Sequence, residues 1–421
     1  MKILIVGINY APEPIGIGPY TKDFATFLAA SGAEVSVVSA SPYYPQWKVL
    51  SGFSRFTYKS THEDGVAITR CPIYVPANPT GLRRIIHHFS FVLSAFIPVL
   101  VRALFGRPDA IVAIAPSLMS APLARLAGRL VGARTWIHVQ DFEVEAAFAT
   151  GLVDRQSRVA RFAGAFQTWA LRGFDRYSSI SPQMCAKLSG MLPASARVLE
   201  VRNWADPGMI EGERNDAYYR RAWGLHGKHV ALYSGNVSRK QGIGIIMDAA
   251  RKLRHRDDLV FVICGSGPEM KHLVDDARDL SNVRFERLQP REHLPSLLAL
   301  ASVHLLPQIR DAADLVLPSK LTNMLASGRP VVVTASAGTG LAREAEGCGL
   351  VTPPGDVDAF ASAIEAIIDR PDQRDGFGKA ARRRAIDRWS KPAIMGAVKE
   401  ELAELGPPQH AKIVRERTAL N

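Results

Sequence analysis

Apolar runs of strand length alternate along this chain with segments whose apolar positions recur at helical spacing. In the first half, KILIVGI (2–8), EVSVVSA (34–40), DAIVAIA (109–115), RTWIHVQD (134–141) and RYSSIS (176–181) read as strands. Continuous Val- and Ile-rich runs suit strands covered on both faces, as in a parallel sheet. PYTKDFATFLAASG (19–32) reads as a helix stopped at Gly32.

The alternation breaks at 203–225, where NWADPGMIEGERNDAYYRRAWGL is polar and turn-rich. It restarts at HVALYSGN (229–236) and continues through LVFVICGSG (259–267), VRFERL (283–288), VHLLPQ (303–308), PVVVTA (330–335) and GLVTPP (349–354), with helices over 242–255 and 268–279. Both halves share a βαβ grammar. The expected class is therefore α/β, with two Rossmann-like domains over 1–205 and 206–385. Residues 386–421 read as an amphipathic helix and a tail, the helix crossing back to the first domain. Ligands of such sheets bind beyond the carboxyl ends of strands, so the cleft between two facing sheets is the expected site.

Composition narrows the class. The 421 residues exceed one ordinary core, and 47% hydrophobic with 22% charged residues is a globular balance. The net charge is +12, and residues 1–210 hold 21 Lys and Arg against 13 Asp and Glu. That excess argues for anionic ligands or an anionic surface on the first half. Cys71, Cys185, Cys264 and Cys348 lie far apart with no CxxC. This excludes a zinc ribbon, argues against a disulfide framework and fits a reducing cytoplasm. The opening run lacks a small-residue cleavage site and reads as a core strand, not a signal peptide.

The first βα loop, NYAPEPIGIGPY (9–20), holds Gly16 and Gly18 among Pro12, Pro14 and Pro19. The prolines stiffen it, and the glycines are expected to let its backbone approach a ligand. It is not GxGxxG, and VSASPYYP after the second strand supplies no acid. An NAD-dependent oxidoreductase is thereby excluded.

In YSGNVSRKQG (233–242), Gly235 and Asn236 end a strand, and Arg239 and Lys240 stand at a helix entrance. There the backbone N–H groups and the helix dipole already favour an anion, and a diphosphate fits. In CGSGPE (264–269), Gly265 and Gly267 permit close backbone approach. In LPSKLTNMLASGRPVVV (317–333), Lys320 at a helix start is a point charge for a phosphate, and Thr322 and Asn323 can hydrogen-bond a sugar hydroxyl. WIHVQDFEVEAAF (136–148) puts His138, Asp141, Glu143 and Glu145 at a strand's carboxyl end. Asp141, His138 and Glu145 are the candidates for chemistry.

GLRRIIHHFSFVLSAFIPVLVRALFGR (81–107) places Leu82, Ile85, Ile86, Phe89, Leu93, Phe96, Ile97, Leu100, Val101 and Leu104 on one stripe. Its uncharged part, Phe89 to Val101, is shorter than the roughly 20 residues that span a bilayer. Arg83, Arg84, His87 and His88 precede it, and Arg102 and Arg107 follow. Two readings stand: a helix lying in a membrane interface, or a core helix of the first domain.

Taken together, GINYAPEPIGIGPY, HVQDFEVEAAF, SGNVSRKQG, GSGPE and LPSKLTNMLASGRPVV resemble the retaining nucleotide-sugar glycosyltransferases of family four, in their exopolysaccharide (colanic acid) branch. The resemblance spans about residues 1–390. It implies the two-domain GT-B fold, a donor nucleotide on the second domain, an acceptor on the first, and net retention without a metal or other cofactor. By motif position, Arg239, Lys240 and Lys320 would hold the donor diphosphate, and Gly16 and Gly18 would lie against the donor phosphate and acceptor. Arg287, Leu288 and Gln289 would meet the base, Leu321, Thr322 and Asn323 would bind the donor beside the phosphate lysine, and Asp141 would stand next to the reacting sugar. Family members usually carry E-x7-E; here Asn323 falls where the second glutamate would, with Asp311 and Asp314 nearby.

The resulting expectation is a glycosyltransferase that elongates a lipid-linked saccharide, peripheral on the inner face of the cytoplasmic membrane. The expected partners are a nucleotide sugar, the lipid-linked acceptor and an anionic membrane surface, with no nucleic acid. A nucleotide-sugar epimerase of the same architecture would turn over donor without acceptor. A non-enzymatic basic module would explain the charge but not loops gathered at strand ends.

Overall fold

The computed structural model describes residues 1–14, 16–142, 158–205, 208–209, 215–238, 241–309 and 319–406. The chain divides into two compact units: Met1–Val201, joined by the chain from Met395 onward, and Arg202–Ile394.

The first unit is built on a sheet of eight described strands: β1 Lys2–Gly7, β2 Glu34–Ala40, β3 Lys59–Glu63, β4 Val66–Cys71, β5 Ala110–Ala115, β6 Arg134–Val139, β7 Arg176–Ser179 and β8 Val198–Glu200. Their order is β3-β4-β2-β1-β5-β6-β7-β8. All neighbours pair in parallel except β3 with β4. The central strands are apolar on both faces because helices cover both, among them α1 (Ile17–Ala30), α2 (Gly81–Gly106) and α3 (Ala121–Val131). The helix Lys391–Glu404 returns to this unit, where the buried Glu401 pairs with Arg176 at 2.5 Å and Arg197 at 2.8 Å. The crossing expected for the C-terminal helix is thus present.

Helix α2 has an unusual burial pattern. Its inner stripe is His87, Phe91, Ala95, Val99 and Ala103, all fully buried at i, i+4 spacing. Nine of the ten apolar residues read from the sequence as one stripe are exposed; Leu100 alone packs on the core. Pro98 lacks the N–H that would bond Ser94, and the Tyr58 hydroxyl donates to that carbonyl at 2.9 Å instead. The two histidines do not add to the cationic end, because burial pushes His87 down to about 4 and His88 to about 3.

The second unit holds β9 His229–Asn236, β10 Leu259–Ser266, β11 Val283–Glu286, β12 Val303–Leu306, β13 Val331–Thr334 and β14 Gly349–Thr352. Among the described residues these form one parallel sheet in the order β11-β10-β9-β12-β13-β14. Two clusters, one on each face, make its core.

Candidate functional site

In the second unit, β9 and β10 run in register to their carboxyl ends, Gly265 opposite Gly235 and Ser266 opposite Asn236. A Cβ on Gly265 would sit 1.9 Å from the Gly235 oxygen, and one on Gly267 2.0 Å from the Val237 oxygen. Both glycines are spent on bringing two strand ends together, so a backbone-only surface faces the space beyond them. Gly235 has φ 131°, and its missing Cβ leaves the space taken by Lys320: a built Cβ would meet Lys320 Cε at 2.5 Å.

Lys320 arrives there through the helix Ser319–Ala326. Leu321, Met324 and Leu325 are buried at helical spacing, which turns Lys320 toward the end of β9. The helix is backed by Pro371–Trp389, where Gly378 leaves room for the Gly328 carbonyl. Lys320 Nζ donates to the Tyr233 hydroxyl at 2.7 Å and to the Asn236 carbonyl at 3.4 Å, above the Tyr233 ring. Tyr233 in turn donates to the Asn236 carbonyl at 2.6 Å. Burial lowers the ammonium to about 8. Among the described residues no carboxylate touches it, which leaves a held cation that an anion can complete.

Leu321 corrects an expectation. Its side chain is core, and its part in the site is to orient its neighbour. Thr322 is buried on the same helix, and Asn323 is half-buried. Arg287 and Leu288 follow β11 and are exposed; the Arg287 carbonyl accepts from Cys264 Sγ and Gln289 Nε2. Arg239, Lys240, Asp311 and Asp314 lie outside the described residues. Beyond β12, β13 and β14 is a recess of about 390 Å³ lined by Gly242, Ile245, Gln308, Ile309, Thr334 and Pro354. Gln308 N–H donates to Thr334 Oγ1, which donates back to the Gln308 carbonyl, both at 2.7 Å. The motif reading missed Tyr233, Gln308 and Thr334, since each looks like ordinary strand or strand-end sequence.

In the first unit, the loop after β1 is held by a residue the reading passed over. Glu13 is 2% exposed. Its Oε1 accepts from Tyr43 N–H at 3.0 Å and Tyr44 N–H at 3.1 Å, and its Oε2 from Asn9 Nδ2 at 2.9 Å. Burial still raises its pKa against these hydrogen bonds. Gly18 is buried, and a Cβ on it would meet Glu13 Oε2 at 2.9 Å. The clearance at Gly18 is therefore filled from within by the Glu13 carboxyl. Gly16 is the exposed one, with φ 77° and Tyr44 beside it.

Asp141 follows β6, open to solvent on one side. Burial on the other raises its carboxyl pKa, opposed by the Phe142 N–H at 2.8 Å and by the charge of Arg84. Arg84 comes from the first turns of α2 and lies over the Trp47 ring at 5.3 Å; Trp47 has φ 51°. A bulky residue held in that region is a mark of a functional loop. Arg84 and Trp47 were not read as site residues. His138 is a correction. It sits inside β6 on the same face as Trp136, and both meet the Ser178 hydroxyl, at 2.9 Å and 2.7 Å. Burial lowers it to about 4, so it is a neutral packing group. Glu143 and Glu145 lie outside the described residues. No group of three metal-ligating side chains occurs among the described residues.

Two family models match the chain: "Glycosyl transferase 4-like domain" over residues 16–204 and "Glycosyl transferases group 1" over residues 217–384. The chain is 40% identical to the protein of Escherichia coli (strain K12) named colanic acid biosynthesis glycosyl transferase WcaI, over 88% of this chain and 93% of that one. It is 25% identical to a GDP-mannose-dependent alpha-(1-6)-phosphatidylinositol monomannoside mannosyltransferase of Mycolicibacterium smegmatis, over 92% and 94%. Among solved structures, the Anabaena protein HepE in complex with UDP-glucose superposes with a TM-score of 0.65 at 16% identity, covering 96% of this chain and all of that one.

Proposed function

The chain belongs to the group 1 glycosyltransferases of family four, as a nucleotide-sugar glycosyltransferase of the GT-B fold, and from that premise we propose a finer reaction. The enzyme moves a sugar, with retention, from a nucleoside-diphosphate sugar to a lipid-linked saccharide in exopolysaccharide synthesis at the inner face of the cytoplasmic membrane. One observation carries the donor half: the Lys320 ammonium, half-buried beneath the Gly235 strand end, where its partners among the described residues are the Tyr233 hydroxyl and the Asn236 carbonyl.

The chemistry suits those parts. The bond from the anomeric carbon to phosphate breaks, and negative charge grows on the leaving oxygen. A preorganised cation stabilises that charge without reorganising. The acceptor hydroxyl forms the new bond on the same face, and its proton passes to the departing phosphate. Asp141, on which the charge of Arg84 acts, supplies a polar contact to the sugars, and Trp47, beneath Arg84, a stacking one. The relatives support this reading: one is named for colanic acid synthesis, another for a lipid acceptor, and HepE holds UDP-glucose.

A thermal-shift panel of UDP, GDP and their sugars, followed by transfer to a lipid-linked saccharide, tests it. One donor should raise Tm at concentrations well above its Kd. The product's anomeric configuration, read by NMR, should match the donor's. Inversion, or donor turnover with no acceptor present, would overturn the proposal.

A further inference from the structure

Helix α2 carries ten of the 24 exposed large apolar side chains among the described residues. Phe105 is 85% exposed, Leu82 69%, Ile97 66% and Leu93 62%. A monomeric soluble surface seldom leaves so continuous an apolar strip open to water. The strip has a charge signature. Residues 65–108 contain five arginines and neither aspartate nor glutamate. Arg83 and Arg84 stand exposed at one end of the helix and Arg107 at the other.

We infer that α2 is seated in the plane of an anionic lipid bilayer, its outer stripe among the acyl chains and its terminal arginines on headgroup phosphates. Apolar side chains give the binding energy, and arginines near an anionic surface add to it. By length and composition alone the helix could instead cross a membrane. Its inner face argues against that. His87, Phe91, Ala95, Val99 and Ala103 are buried in the unit's own core, and a spanning helix would strip them from it. The Tyr58 hydroxyl also fastens the hairpin of β3 to the carbonyl left open by Pro98. At about 39 Å, the helix lies flat with both arginine ends at the same depth.

The seat also orients the site. Arg84 belongs to the first turns of α2 and its charge acts on Asp141, so the amino-terminal end of the seated helix is the one nearest the candidate acceptor residues. A saccharide whose lipid stays in the leaflet enters there. This last step rests on the proposed acceptor; the docking itself does not.

The test is flotation of the full chain with vesicles of 70% phosphatidylcholine and 30% phosphatidylglycerol, without donor or acceptor. The protein should float with these vesicles and at least tenfold less with phosphatidylcholine alone. Leu93→Asp/Ile97→Asp should abolish flotation while leaving Tm and transfer to a soluble saccharide unchanged. A fluorophore on Ile97→Cys and one on Phe105→Cys should be reached equally by quenchers at one acyl depth. Absence of flotation, or flotation untouched by the double substitution, would overturn the inference. So would unequal depths, which mean a spanning helix. A vesicle-free dimer dissolved by the same substitutions would show that a second copy covers the face and would equally overturn it.

Discussion

Lys320 occupies the space that a side chain on Gly235 would need. The two residues are 85 positions apart, and a Cβ at 235 would come within 2.5 Å of the lysine's Cε. One site therefore depends on a cation and on an absence. Gly235→Ala should displace the lysine and raise the Kd for the nucleoside diphosphate at least tenfold, as Lys320→Ala should. Because both remove the same contact, the double variant should be no worse than either alone, the non-additivity expected of coupled residues. Calorimetric titration checks this, and fully additive losses would sink it.

The same lysine predicts two pH trends of opposite sign. Its pKa is near 8 in the folded protein against 10.5 ordinarily. Between those values the unfolded chain binds more protons, so the contribution of Lys320 to stability rises with pH, by at most about 1.4 kcal/mol per unit. Diphosphate binding needs the ammonium, so affinity should fall as pH climbs past 8, by up to tenfold per unit. Lys320→Met should flatten both curves. Melts and titrations at pH 7, 8 and 9, compared between the two proteins, give the answer.

Glu13 and Gly18 share one space in the first unit. Glu13→Gln leaves at least one of three donors facing an amide, a loss of about 1–3 kcal/mol. Gly18→Ala pushes a methyl against the same carboxyl and should cost about 1–3 kcal/mol by overpacking. In a Glu13→Gly background Gly18→Ala should cost less, because both the carboxyl and the Glu13 Cβ that a methyl would meet at 3.0 Å are gone. Equal costs in both backgrounds, by thermal melt, would refute the shared space. Gly16→Ala should cost stability in both backgrounds alike, since its φ of 77° disfavours any side chain and a Cβ would stand 3.1 Å from the Tyr44 ring.

Glu401→Ala should destabilise the first unit alone. It leaves Arg176, 21% exposed, and Arg197 without their shared carboxylate. A fully buried pair broken this way costs about 3–5 kcal/mol; partial exposure reduces the expectation to about 1–3 kcal/mol. Scanning calorimetry should show one transition lowered and the other unmoved.

Much of the fold was legible because buried parallel strands are written as unbroken apolar runs. β9 is read at its observed bounds, and β10, β13 and β14 nearly so. β3, KSTHE, was not legible: it is an exposed edge strand with no apolar face. β4, VAITRC, was hidden by Arg70, which is buried because Ser39 and the Ala11 carbonyl accept its N–H groups and Tyr10 and Phe53 flank it. At the site, a glycine closing a strand and a lysine opening a helix were both readable. Their shared space was not, since it forms only when the helix packs behind the sheet. His138 was misjudged because titratable residues were counted without their facing. Strand alternation puts it beside Trp136, pointing inward.

The helix Lys391–Glu404 gives the chain a particular order of birth. A ribosome completes the second unit's stretch, Arg202–Ile394, before it has made Glu401, whose partner Arg176 was synthesised 225 residues earlier. The first unit begins first and closes last. Until then its two arginines stand without their acid, so a chain ending at residue 394 carries all of the second unit's residues and a first unit that lacks its last helix segment.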